Sequence, residues 1–314
     1  ERHGNPAVLI RLLGWAILAA MVAFMIANAL NLAYGVGGVL TGNPVILLIY
    51  AIAFALSVFY VFRDRQVSLR HDAKIIHNAN VFLVRACFWA VFLIGIVDIT
   101  VAFLRTESLL DYVFEKDMVI QFGRPQFVGA YIHLPLIALS ILLACVTRTL
   151  GFIWLALLIV AAELLIVLSR FVFSYEQAFM ADLVRYWYAA LFLFSSAYTL
   201  FEEGHVRVDV FYAGLKSKTR GYVNAAGTLL LGISTSAVII YIGFNGKSSI
   251  INSPVMNFEV TQTGSVGMYV KYQMAAFLGV FAITMLIQFV SYFFEAVADY
   301  RDEPGKREAA AVAH

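Results

Sequence analysis

Asp98, Glu163 and His133 stand inside long apolar runs, and Arg170 follows Glu163 by seven residues on nearly the same helical face. A charged group at the centre of a membrane helix costs about 2.5–3.5 kcal/mol on insertion scales, so each of these needs a partner or a task. A carboxylate such as Glu163 could bind a coupling ion or a substrate. It could equally make a polar contact between helices or subunits, as Asp98 could with Arg170. One isolated carboxylate is a poor ion path, and no polar residues line up with Glu163. The contact is therefore the favoured reading, with Glu163 facing a partner helix. A haem would need paired axial ligands inside the bundle. His133 is the only one of six histidines within an expected span, so it reads as a hydrogen-bonded packing residue, and no cofactor is expected.

A second set lies between apolar runs. His205, Arg207 and Asp209 alternate with Val206, Val208 and Val210. In an extended segment the polar groups share one side and the valines the other. Two readings stay open on periodicity. Arg207, with Lys216, Lys218 and Arg220, could anchor at anionic headgroups. Alternatively, Arg207 and Asp209 could make charge-assisted bonds to a neighbouring subunit. A third set, Glu259 and Lys271, flanks a connection with Ser253-Pro254, Gly264 and Gly267. No phosphate-binding glycine loop, nucleophile with a usable base or zinc-ligand cluster occurs, so neither an enzyme nor a metal site is expected. Without Walker motifs, ATP hydrolysis by this chain is not expected either.

The elements that position these residues follow from composition. The 314 residues are 62% hydrophobic and 13% charged, against about 25% charged in a soluble domain, and mean hydropathy is +0.83. Apolar runs of about 20 residues recur throughout. The expected class is an all-α integral membrane protein with about eight transmembrane helices and short interfacial helices. The spans are expected near Val8–Leu32, Pro44–Phe62, Val81–Leu104, Phe127–Val146, Phe152–Phe173, Leu183–Phe201, Tyr222–Phe244 and Val270–Ala298. Arg63–Asn80 reads as a cytoplasmic segment. Arg105–Gln126, with Leu109, Leu110, Val113 and Phe114 at helical spacing, reads as an amphipathic helix on the membrane surface.

Eight crossings put both termini on one side. Assigning that side to the cytoplasm leaves Arg105, Lys116, Arg124, Arg170, Arg185, Lys247 and Lys271 outside and the rest of the 22 lysines and arginines inside, which satisfies the positive-inside rule. Cys87 and Cys145 then lie near cytoplasmic helix ends, where thiols stay reduced. The net charge of +2 gives no reason to expect a nucleic-acid partner. The chain begins at Glu1, which leaves room for an upstream piece. Its first apolar run reads as a span rather than a cleavable signal. The organisation expected is a four-helix unit over 1–150, a second over 151–300 and a polar, frayed cytoplasmic tail over 301–314.

The wording of the second unit is specific. Trp187-Tyr188, Ala197-Tyr198-Thr199-Leu200 and the run from Gly204 to Tyr212 resemble the DctQ-like small membrane subunit of tripartite ATP-independent periplasmic (TRAP) transporters, as do Gly227-Thr228-Leu229 and Ile287-Gln288-Phe289. The resemblance spans roughly 151–300. The family's small subunit has four helices, so residues 1–150 are an N-terminal extension.

The resemblance implies a scaffold in a sodium-coupled symport system of a bacterial inner membrane. The partners implied are a large membrane subunit, a periplasmic substrate-binding protein and membrane lipids. It favours the docking reading for His205, Arg207 and Asp209 and makes Glu163 and Arg170 interface candidates. Glu259 and Lys271 become candidates for docking the binding protein. The outer connection is nearest to a branch associated with mannitol, chloroaromatic, lactate or 2-oxo acid names, and the expected substrate class is a small organic acid. The alternative is a structural accessory subunit of another bacterial membrane complex, respiratory or photosynthetic, that reuses such a unit. An autonomous transporter is disfavoured, since intramembrane polar groups and broken half-helices are scarce.

Overall fold

The computed structural model describes residues 7–38, 42–149, 151–202, 212, 214–261 and 263–306. They form helices α1 (Val8–Tyr34), α2 (Pro44–Arg63), α3 (Leu69–Thr106), α4 (Leu110–Val113), α5 (Lys116–Phe122), α6 (Pro125–Val128) and α7 (Leu134–Val146). After these come α8 (Phe152–Phe173), α9 (Ala178–Phe201), α10 (Ser217–Gly227), α11 (Ser234–Phe244), α12 (Asn252–Met256) and α13 (Lys271–Tyr300). The described residues contain no β-strand. Single π turns, Gly129–His133 and Thr228–Ile233, make α6–α7 and α10–α11 continuous runs. Pro135 follows the first of them, and its missing N–H cannot bond the carbonyl four residues back, which favours a widened turn there.

Among the described residues, seven helical runs are long and apolar enough to cross a membrane: α1, α2, α3, α6–α7, α8, α10–α11 and α13. This is a multi-pass membrane protein. The remaining expected span, the sixth in chain order (Leu183–Phe201), is α9, whose 24 residues are enough to cross. Arg185, Tyr186, Tyr188 and Tyr198 make it less apolar than the others.

Three expectations about boundaries change. The helix expected from Val81 starts at Leu69 and runs 38 residues, about 57 Å at 1.5 Å each. The polar residues of 69–80 read as a loop in sequence, but Arg70, Asp72 and His77 find partners on neighbouring elements. The single amphipathic helix expected over 105–126 is two short ones, α4 and α5. Phe114, with ψ 154°, breaks them apart, and Leu110 and Phe122 are buried while Val113 is exposed. The tail expected to fray is packed as far as Glu303, which is buried.

By packing, the chain forms two compact units, and each takes segments from both sides of the expected boundary at 150/151. The first comprises residues 1–80, 196–249 and 282–314. Its core joins Leu69, Ala73 and Ile76 of α3 to Val290, Phe293 and Phe294 of α13. Polar ties run beside it: His77 Nδ1 lies 3.0 Å from Gln288 Oε1, Asn80 donates to the Thr284 carbonyl, and Ser291 donates to the Ala73 carbonyl.

The ends of α3 and α13 in this unit cap each other. The Leu69 N–H donates to the Glu303 carboxylate at 3.2 Å. Arg70 donates to Glu295, to Asp299 at 2.7 Å and to the carbonyls of Glu303 and Pro304. A carboxylate at a helix N-terminus and a guanidinium at a C-terminus both match the helix dipole. At the same end of α3, the buried Arg11 of α1 pairs with the buried Asp72 at 2.7 Å. Trp15 also donates to Asp72, at 3.0 Å. Gly221 of α10 lies so close to α13 that a Cβ there would meet the Tyr300 nitrogen at 2.6 Å and the Ala296 carbonyl at 2.8 Å.

The second unit comprises residues 81–195 and 250–281. Its core is built on α9, whose Phe179, Leu183, Tyr186, Trp187, Ala190 and Phe194 recur at helical spacing against Val84, Phe88, Val91 and Ile94 of α3. The connection into α8 turns at Gly151, where φ is +83°, a left-handed conformation that glycine adopts without a Cβ clash.

Candidate subunit-interface site

Helix α8 is the least engaged of the long helices. Of its 22 residues only Leu155 is buried. Glu163, halfway along, is exposed and makes no hydrogen bond or ion pair with a described residue. An apolar helix that presents a carboxylate outward at mid-span pays the insertion cost with nothing among the described residues to offset it. Arg170, in the last turn, is also exposed. It pairs with Glu176 at 3.3 Å, not with Asp98 as the sequence suggested. A bond to a residue of the following turn needs no long-range approach, which explains the preference.

Asp98 has other partners. It is buried, with one oxygen 3.2 Å from His133 Nε2 and the other accepting the Tyr269 N–H at 2.8 Å. His133, fully buried, meets the Tyr272 hydroxyl at 2.8 Å and the Gln273 amide nitrogen at 2.9 Å through Nδ1. Tyr186 donates to the Gln273 side-chain oxygen. One donor order satisfies these bonds. Tyr186 donates to Gln273, Gln273 to Tyr272 at 3.1 Å, Tyr272 to His133 and His133 to Asp98. Every donor then points toward one carboxylate. Asp182 of α9 accepts the Met268 N–H at 3.1 Å, so two buried carboxylates hold consecutive backbone groups at the entry to α13.

Arg105 fastens the same region. It donates to the carbonyls of Ser265, Gly267 and Phe122 and lies 4.0 Å from the centre of the Tyr269 ring. Burial raises the Tyr269 phenol above its usual range, against the lowering effect of Arg105. The connection leading into α13 is thus a held structure. Glu259 and Lys271 pair with each other and remain about half exposed. His205, Arg207 and Asp209 lie outside the described residues.

Sequence reasoning missed the partners of these groups. Tyr186, Tyr272 and Gln273 carry no local signal beyond being polar in apolar surroundings. Arg70 and Arg11 had been read only as positive-inside anchors. The available clue was that Asp72 and Asp98 could not stand unpaired so near apolar helices.

The match to known families falls on the elements that surround this site. Residues 156–298 match the family model described as "Tripartite ATP-independent periplasmic transporters, DctQ component". Within that stretch lie most of α8 and all of α9, α10–α11 and α12, together with α13 as far as Ala298. The DctQ component is a transporter part rather than an enzyme, the small membrane component of TRAP systems, which works with a large membrane component and a binding protein. Comparison with curated proteins and with solved structures gives no match. In this chain the DctQ region includes both the exposed carboxylate of Glu163 and the packed α9.

Proposed function

We propose that this chain is the small permease subunit of a TRAP-type, sodium-coupled uptake system in a bacterial inner membrane. It serves as the static scaffold for the large membrane subunit, and the substrate is a small organic acid held elsewhere in the complex. The carrying observation is the DctQ match over 156–298. The outward carboxylate of Glu163 on a helix that buries one residue supports an interface on α8. A mid-membrane carboxylate in such a place favours a neighbouring helix that brings a donor or a cation.

In this reading residues 151–300 are the DctQ-like domain and residues 1–150 an N-terminal extension. Helix α9, sixth in chain order, brings the crossings to eight, which keeps both termini and the tail over 301–314 in the cytoplasm. His205, Arg207 and Asp209 contact the large subunit on that side, and Arg170 joins Glu163 at the interface. The Glu259–Lys271 pair faces the periplasm and contributes to docking the binding protein. Gentle extraction from native membranes followed by identification of the co-purifying chains tests the proposal. A large TRAP membrane subunit is the expected companion; a respiratory or photosynthetic complex in its place would overturn it.

A further inference from the structure

In the unit of residues 81–195 and 250–281, an apolar groove of about 530 Å³ separates α3 from the start of α8. Phe88, Trp89 and Phe92 form one wall, and Trp154, Leu155 and Leu158 the other. Pockets for soluble ligands carry a few convergent polar groups that fix orientation. These walls are almost wholly hydrocarbon, which suits an alkyl chain.

Two arginines stand beyond the lining, next to Thr149 at one end of the groove. Arg85 precedes Trp89 by one helical turn, on the same face of α3. Its guanidinium donates to the carbonyl of Ala144, in the last turn of α7, at 3.3 Å and to that of Arg148, just past its end, at 3.2 Å. Its Nε is buried with no hydrogen-bond partner. Arg148 itself is exposed and adjoins Thr149 on the groove lining. Neither arginine forms an ion pair with a described acidic residue. Trp89 donates to the Thr147 hydroxyl at 2.8 Å, and the Trp154 ring is exposed. Tryptophans at a helix end mark the depth of the membrane interface.

We propose that this groove is a binding site for one anionic phospholipid. An acyl chain lies between Phe88 and Leu158, and the phosphate sits against Arg85 and Arg148. Basic pockets between membrane helices select anionic headgroups in this way, and guanidinium matches phosphate with paired donors. The inference rests on the membrane reading alone. Trp154 and Glu163 are nine residues apart, about half a turn around α8. The lipid and a partner helix at Glu163 would therefore use opposite faces, and either can fail without the other.

The test uses the full chain in phosphatidylcholine vesicles with a fixed small fraction of lipid brominated on its acyl chains, either phosphatidylglycerol or phosphatidylcholine. Tryptophan quenching reads contact. Brominated phosphatidylglycerol should quench more strongly, and replacing both groove tryptophans, Trp89→Phe with Trp154→Phe, should remove most of that difference. Arg148→Gln keeps the backbone carbonyl that Arg85 uses and should lower the preference about fivefold. Equal quenching by the two lipids, or a preference unchanged in Arg148→Gln, would overturn the site. So would loss of the quenching once the large membrane subunit is co-reconstituted, because the groove would then belong to protein.

Discussion

Asp98 on α3 accepts the backbone N–H of Tyr269, 171 residues away in the chain, at 2.8 Å. That bond places a buried membrane carboxylate at the start of α13, and His133 completes its coordination from the α6–α7 run. A charge that might have marked an ion path is thereby taken up in holding helices together.

Asp98→Ala should therefore act on stability. Removing the carboxylate leaves His133 Nε2 and the Tyr269 N–H buried without their acceptor, at about 1–3 kcal/mol for each unsatisfied group. Asp98→Asn keeps an acceptor for Tyr269 and should cost less. Thermal unfolding in detergent, followed for both variants, reads the order. Equal melting of Asp98→Ala and the parent would show that the contact does not hold the fold.

The Arg11–Asp72 pair predicts non-additivity. Asp72→Leu alone leaves Arg11 buried without its counter-charge, and about 3–5 kcal/mol should be lost. Adding Arg11→Met should recover a large part, since an apolar pair of similar volume can replace buried ions. The double-mutant cycle checks this in a single melting series.

Much of the helical frame was legible in the sequence, because apolar runs of membrane length have few other outcomes. The start of α3 was not. Residues such as Arg70, Asp72 and His77 look like loop residues until their partners are known, and those partners come from α1, α13 and the tail. The same holds at the site. Glu163 could be singled out from its position in an apolar run, and the structure leaves it exposed. The link of Asp98 to His133 joins helices whose packing no local pattern encodes, so Arg170 looked an equally good partner.

Gly221 predicts a packing limit. A valine there would drive its side chain into the backbone of Ala296 and Tyr300. Overpacking of this kind costs about 1–3 kcal/mol. Folded yield and melting temperature should both fall for Gly221→Val, and more than for Gly227→Val, whose position has open space around it.

The proposed interface predicts separate losses of assembly and function. Reversing charge at Arg207 or Asp209 should reduce recovery of the large subunit while the melting temperature of this chain stays unchanged. Glu163→Gln should leave the sodium dependence of uptake as it was. A shifted sodium dependence would make Glu163 a coupling residue instead.

Reconstitution tests the central claim most directly. Purified chain alone in sealed vesicles under a sodium gradient should accumulate no organic acid. Adding the large membrane subunit and the binding protein should restore uptake. Solute movement by the isolated chain would contradict the scaffold account.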